Sequence, residues 1–437
     1  MLRGWELLAR NNSGSKLIVY QPPGALFWRA EKEAGMPRIF AARLCSLALV
    51  LPVSVLLSSC GWQSLQGTRV TVNCPSWQMM SSQNPGNVGN QLSDLIALAN
   101  NNIWAVGGVS DTSTATESRN LIEHWDGTRW SVVASQKPGF EESDYPDSLL
   151  RISGSSASDL WAVGDGEEGF LEHWDGSSWQ AVANPAQPRT VYSYHFMSVA
   201  ALSSTDAWAV GQTLLLASPT MRGNGEVALI AHWDGKSWSI VSNPDLHADL
   251  NGTQLDDIAA LAPDNVWAVG STSSVEQGQL ALIEHWDGKS WSVVASPQPQ
   301  GSADVNSALL WSLDALSPSD IWAGGFYELS GVEHYLLEHW DGHAWKLVPI
   351  PLQAKKWTIL HQVLALSDSN IWALDAESTL LHWDGKSWSR SALPEAEQHG
   401  YTISRMAALP NGQLWLAGTV NDPLSSGPKT LLARSCS

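Results

Sequence analysis

The chain has 437 residues and a formal charge of −19, with a hydrophobic fraction of 44%, ample for a core. Beyond residue 59 there are 40 acidic against 17 basic side chains, a surface that repels phosphate backbones and disfavours nucleic-acid binding. Tryptophan is in large excess, and 20 of the 25 copies occupy fixed places in a repeat, so the excess is architectural before it is functional.

The N-terminal stretch has the composition of a targeting segment. Arg38 and Arg43 precede an apolar run from Leu44 to Leu57, too short for a comfortable transmembrane helix and the right length for a signal-peptide core. The run ends in Leu57-Ser58-Ser59-Cys60-Gly61, which resembles the lipobox of bacterial lipoproteins. That resemblance implies lipidation of Cys60, export, and a membrane anchor at the cell surface. The expected organisation is an over-called extension over 1–35, a signal peptide starting at Met36 over 36–59, a tether over 60–68 and a repeat domain over 69–437.

The repeat contains four short strand patterns. The first is small and apolar, as in Leu95-Ile96-Ala97-Leu98. A turn ending in Asn102 or its equivalents leads into the second, Ile103-Trp104-Ala105-Val106-Gly107. The third, Leu121 to Trp125, and the fourth, Trp130 to Val133, flank an Asp-Gly pair. Asp-Gly between two such runs predicts a two-residue type I′ hairpin. Trp125 would then pair with Thr128 and Glu123 with Trp130, placing Leu121, Trp125, Trp130 and Val132 on one face.

The phrase His-Trp-Asp-Gly followed by Trp recurs six times, first at His124, Trp125, Asp126, Gly127 and Trp130, whereas the second-strand motif occurs seven times. The missing hairpin is divided between the chain ends. Leu431 to Cys436 aligns with a third strand, and Asn73 to Met80 with a turn and fourth strand. Seven four-stranded units closed in this way predict an all-β, seven-bladed β-propeller of antiparallel blades, closed by mixing the N-terminal strand with the three C-terminal strands. In that alignment Cys436 and Cys74 fall at the turn Asp and Gly positions, which predicts a disulfide between them.

The motif resembles the repeats of kelch and galactose-oxidase-type propellers, although paired glycines occur only at Gly107-Gly108 and Gly324-Gly325. It is also similar to the Asp-box hairpins of sialidase-like propellers, with one residue fewer between Asp126 and Gly127. These likenesses imply the architecture and bring two chemistries into question. A copper-radical oxidase needs a Cys near its metal, and no Cys lies between Cys74 and Cys436. A sialidase-like hydrolase needs three converging arginines, and only Arg151 and Arg405 stand at equivalent first-strand positions. The six repeated histidines, from His124 to His382, are too dispersed to share one ion and are expected to be hydrogen-bonded blade residues. No metal or cofactor is therefore expected.

Function is then expected on the face formed by the variable links. A candidate ring precedes the first-strand core: Asp94, Arg151, Ser198, Asp257, Ser312, Gln362 and Arg405. Nearby candidates are Tyr192, Tyr194, Trp311 and Trp357, aromatic groups that can stack on a sugar or anchor a peptide, although each Trp can equally fill a gap between blades. The expected activity is non-catalytic binding of a carbohydrate or surface protein by a monomer, with a carbohydrate-active hydrolase on the same face as the alternative.

Overall fold

The structure, a computed structural model, describes residues 77–111, 118–135, 148–165, 169–188, 191–215, 226–244, 250–274, 278–297, 305–352, 358–391, 400–421 and 427–435. All lie in one compact unit, Thr71–Ser437. Cys60, Cys74, Trp357 and Cys436, and the segments assigned to the extension, signal and tether, fall outside the described residues.

Among the described residues every regular element is a β-strand. After β1 (Trp77–Met79), the strands β2 (Gly89–Ala99), β3 (Asn102–Ser110), β4 (Ser118–Trp125) and β5 (Trp130–Val132) form one sheet in sequence order. The plan repeats in β6 (Ser148–Ser156), β7 (Asp159–Asp165), β8 (Phe170–Trp174) and β9 (Trp179–Val182). It repeats again in β10 (Val191–Ser203), β11 (Asp206–Leu215), β12 (Glu226–Trp233) and β13 (Trp238–Ile240).

Next come β14 (Leu250–Ala262), β15 (Asn265–Ser274), β16 (Gly278–Trp286) and β17 (Trp291–Val293), followed by β18 (Val305–Ser317), β19 (Asp320–Leu329), β20 (Val332–Trp340) and β21 (Trp345–Leu347). These eight strands share one sheet, β16 and β18 meeting through the parallel pair Gln279 and Ser307. A further sheet contains β22 (Leu360–Ser367), β23 (Asn370–Asp375), β24 (Leu380–Trp383) and β25 (Trp388–Ser391). The last contains β26 (Gly400–Ala408), β27 (Leu414–Asn421) and β28 (Lys429–Ser435), and β1 pairs with β28, Trp77 opposite Ser435.

The hairpin register differs from the sequence expectation. Trp125 pairs with Trp130 and Glu123 with Val132, so the turn holds four residues rather than two. The Asp126 side chain is the reason: its Oδ1 accepts from the backbone N–H of Thr128 at 2.8 Å and of Arg129 at 2.9 Å. That side-chain turn leaves only Gly127, at φ 96°, in the left-handed region, whereas a type I′ turn needs two such residues. The register moves by two positions, an even number, so the expected face survives. Leu121, Trp125, Trp130 and Val132 pack in one cluster.

The apolar faces of successive sheets pack on one another. Trp104 of β3, for example, lies with Leu149, Ile152 and Trp179 of the following sheet. The last sheet packs on the first in the same way, through Leu409, Trp415 and Leu432 against Leu92, Leu121 and Trp130. Across these seams a second-strand indole meets a fourth-strand indole edge to face, Trp104 with Trp179 at 5.8 Å and Trp415 with Trp130 at 5.8 Å. The repeated histidines stack on the second-strand Trp and hydrogen-bond the turn residue before it, His124 Nε2 to Asn102 Oδ1 at 2.9 Å and His173 Nε2 to Asp159 Oδ1 at 2.7 Å. In the final copy Arg434 takes the histidine's place, with its guanidinium 5.8 Å from the Trp415 ring centre.

The third strands also bury acids. Glu123, Glu172, Glu284 and Glu338 are fully inaccessible, and burial pushes Glu123 and Glu172 up to about 7 and Glu284 and Glu338 up to about 8. Ser82, Asn120 and Ser296 donate to Glu123, Glu172 and Glu338 at 2.6, 2.5 and 2.7 Å respectively. Among the described residues neither oxygen of Glu284 has a partner.

Candidate functional site

The innermost strands all break register at one level. In β2 the pairing jumps between Leu92 and Asp94, and equivalent jumps precede Arg151, Ser198, Asp257, Ser312, Gln362 and Arg405. Each is a β-bulge, one extra residue opposite an unbroken partner strand, a device that bends a strand and re-aims its side chains. In six of the seven copies a glycine closes the second-strand motif opposite the bulge, and Asp375 stands there in the other. A Cβ on Gly107 would stand 2.1 Å from the Gln91 carbonyl oxygen, and one on Gly270 2.1 Å from that of Gln254.

The seven residues just after the bulges are those of the ring read from the sequence, and all seven line a single cavity of about 320 Å³. Four of them accept from backbone N–H groups of the neighbouring inner strand. Asp94 Oδ2 accepts from Ile152 N at 2.9 Å, and Asp257 Oδ2 from Leu313 N at 2.9 Å. Ser312 Oγ accepts from Val363 N at 3.0 Å, while Gln362 takes both groups of Met406, its N–H at 2.6 Å and its carbonyl at 2.8 Å. One turn deeper, Asp314 Oδ2 accepts from Ala365 N at 2.7 Å and Ser153 Oγ from Ala201 N at 3.1 Å. The inner strands have no fifth strand to pair with, so these side chains supply the partners their amides need.

Arginine cannot serve in this way, because a guanidinium has donors only. Arg151 Nη1 donates to Leu150 O at 3.0 Å and Arg405 Nη1 to His361 O at 2.7 Å. Arg151 Nε is buried with no hydrogen-bond partner among the described residues. Among the described residues neither guanidinium forms a salt bridge.

The ring acids are held back from ionising. Burial pushes Asp94 up to about 6 against the pull of Arg151 and two amides, and Asp314 up to about 6 against two amides. Asp257 is raised by burial, partly offset by Arg151 and by Ser198, whose Oγ donates to its Oδ1 at 2.7 Å. Asp256 at the bulge is pushed by burial to about 7 and accepts from Gln254 Nε2 at 3.1 Å. Desolvation, and after it the Arg151 charge, lower His361 below the usual imidazole value, while its side chain keeps access to solvent.

The aromatic candidates separate. Tyr192 is exposed, whereas Tyr194 is 3% accessible and packs with Phe196 and Trp161 in a core cluster. Tyr194 is therefore core: it and Tyr192 would share one face in a regular strand, and the register shift between Val191 and Ser193 leaves Tyr192 as the extra, outward residue. Trp311 is half-buried at a bulge position, 5.4 Å from the Phe326 ring and 5.7 Å from that of His361. Trp357 lies outside the described residues. Asp314 also lines the cavity, while Asp256 and His361 are the extra residues of two bulges beside the ring; none of the three is among the candidates above. Asp314 carried a signal, an acid within Leu313-Asp314-Ala315-Leu316 where the other copies have Ala, Ile96, Leu364 or Ser153; the bulge that brings Asp256 and His361 alongside the ring leaves none.

The chain is similar in structure to YCF48 bound to D1 peptide, with 14% identity over 84% of this chain and 96% of that chain at a TM-score of 0.50. The fold is a β-propeller. YCF48 from Cyanidioschyzon merolae is also similar, with 13% identity, 83% and 98% coverage and a TM-score of 0.49. No protein-family model and no curated protein matches the chain. At these identities the propeller's likeness is one of fold.

Proposed function

We propose that the chain is an exported, lipid-anchored binding module at the cell surface, a seven-bladed propeller that takes a carbohydrate or protein ligand at its variable-link face and axial channel. The observation that carries the reading is the ring itself: a polar cavity whose acids hold backbone amides while two guanidiniums have no salt-bridge partner among the described residues. That commitment of the carboxylates supports binding over hydrolysis, because a general acid or nucleophile must be free to meet substrate. A propeller of similar fold has been solved with a D1 peptide, which keeps a protein within the ligand class.

The seven-blade reading treats the eight-stranded sheet as two meanders touching at one residue pair. Closure by β1, and with it a Cys74 to Cys436 bridge, is supported by the Trp77–Ser435 pairing. The side-chain turn at Asp126 supports the Asp-box likeness. Export rests on the Leu44–Leu57 run and anchoring on Cys60.

The test is an unbiased screen of the full chain against glycans and surface proteins, repeated with Tyr192→Ala and Trp357→Ala. A ligand weakened by either change supports the variable-link face; no ligand with any version counts against it. Cys60→Ala should release the protein from membranes, and unchanged membrane association would remove the lipid anchor from the reading.

A further inference from the structure

The channel holds hydrogen-bonding capacity that the fold does not use. Arg151 and Arg405 each make one side-chain hydrogen bond, to the carbonyls of Leu150 and His361, from a fork of five N–H groups. The Arg151 Nε is buried and unpartnered among the described residues. The nearest acids do not take up this capacity, since Asp94 and Asp257 direct both oxygens to amides and a serine hydroxyl.

The two guanidiniums share a neighbour. Arg151 and Arg405 both line the cavity, together with Asp94 and Asp257, and the Arg151 charge acts on Asp94, Asp256, Asp257 and His361. Arg405 is bonded to the carbonyl of that same His361, and the Trp311 ring lies 5.7 Å from its imidazole. Two guanidiniums that form no salt bridge among the described residues thus line one polar space of about 320 Å³, at the small end of ligand pockets, with the exposed His361 imidazole and the half-buried Trp311 ring beside it, next in sequence to its lining residues Gln362 and Ser312.

We propose that the Arg151, His361 and Arg405 side of the channel is a carboxylate subsite for a single acidic sugar, with Trp311 as the surface against which the sugar ring lies. The inference rests on the binding-module reading. A planar guanidinium fork matches a carboxylate in two parallel hydrogen bonds, and an indole face suits the C–H face of a sugar. An extended peptide fits less well, since strand addition needs free backbone groups and the side chains of the ring already bond the inner-strand amides.

Calorimetric titration of the full chain with glucuronate, glucose and acetate tests this. Glucuronate should bind about tenfold or more tightly than either, and Arg151→Gln should weaken it about tenfold with the melting temperature held. Trp311→Ala should weaken glucuronate and leave acetate unchanged. Arg405→Lys, which retains the charge and a donor for His361 O, should weaken glucuronate without unfolding the chain. Equal affinity for glucose and glucuronate overturns the carboxylate subsite, and equal affinity for acetate and glucuronate overturns the sugar. Should glucuronate fail while the screen yields a ligand indifferent to Arg151→Gln, the subsite falls and the binding-module reading stands.

Discussion

The Ser82 hydroxyl meets the carboxylate of Glu123 at 2.6 Å, joining a link on one side of a seam to a third strand on the other. Ser296 does the same for Glu338 at 2.7 Å. Glu284 sits at the equivalent third-strand position with neither oxygen bonded among the described residues, while other copies carry Ala231, Leu381 and Ala433 there.

A buried carboxyl without a partner costs more than an apolar group of similar size. Glu284→Leu is therefore expected to raise unfolding free energy by about 2 kcal/mol, measured by urea denaturation. Ser296→Ala should act oppositely, lowering it by about 1–2 kcal/mol, because Glu338 then loses its donor. A destabilised Glu284→Leu would show that the carboxyl is satisfied in solution.

The same acids give stability a pH slope. Their folded values, about 7 for Glu123 and Glu172 and about 8 for Glu284 and Glu338, lie above the ordinary 4.5. Between these limits the folded chain holds protons that the unfolded chain has lost, so these groups make stability fall as pH rises. Denaturant midpoints should be higher near about pH 5.5 than near about pH 8, with a shallower decline in Glu284→Leu. A profile rising across that interval in both proteins would refute the assignment.

The ring side chains are expected to hold seams together. Gln362→Ala removes partners from both the N–H and the carbonyl of Met406 and should cost about 1–3 kcal/mol. Gln362→Glu recovers only part of this, since a carboxylate accepts from the N–H but repels the carbonyl. Equal stability of all three proteins in thermal melts would mean that water replaces the side chain.

Two glycines separate crowding from conformational strain. Gly107→Ala drives a Cβ to 2.1 Å from the Gln91 carbonyl and should cost more than about 4 kcal/mol by expelling the bulge. Gly331, at φ 80° with open space around it, should lose only about 1 kcal/mol on the same change. Similar losses at both sites in chemical denaturation would contradict the role given to Gly107.

The strand repeat and the ring were legible because both repeat at fixed offsets. A residue one place before the apolar core faces the channel in every copy, so Asp94 and Arg405 could be aligned without coordinates. The hairpin register was misread because Asp-Gly says nothing of whether the Asp side chain caps the turn; at Asp126 it does. Tyr194 shares a face with Tyr192 by strand period, and it is the bulge between Val191 and Ser193, which the residue pattern does not mark, that separates them. The bulge at the ring was hidden because it leaves no residue preference on its own strand. Its trace is the glycine across the ladder, at Gly107 and Gly270, which sequence reading assigns to the strand end.

The clips from Asp94, Asp257, Ser312 and Gln362 each connect an inner strand only to the next one. Changes at separated seams, such as Asp94→Ala with Gln362→Ala, should therefore add within about 0.5 kcal/mol. Since the last sheet also packs on the first, the circuit has no terminal member from which fraying can begin. Opening any one seam turns the circuit into an open arc with two vulnerable ends, so the first break controls how long the whole assembly survives.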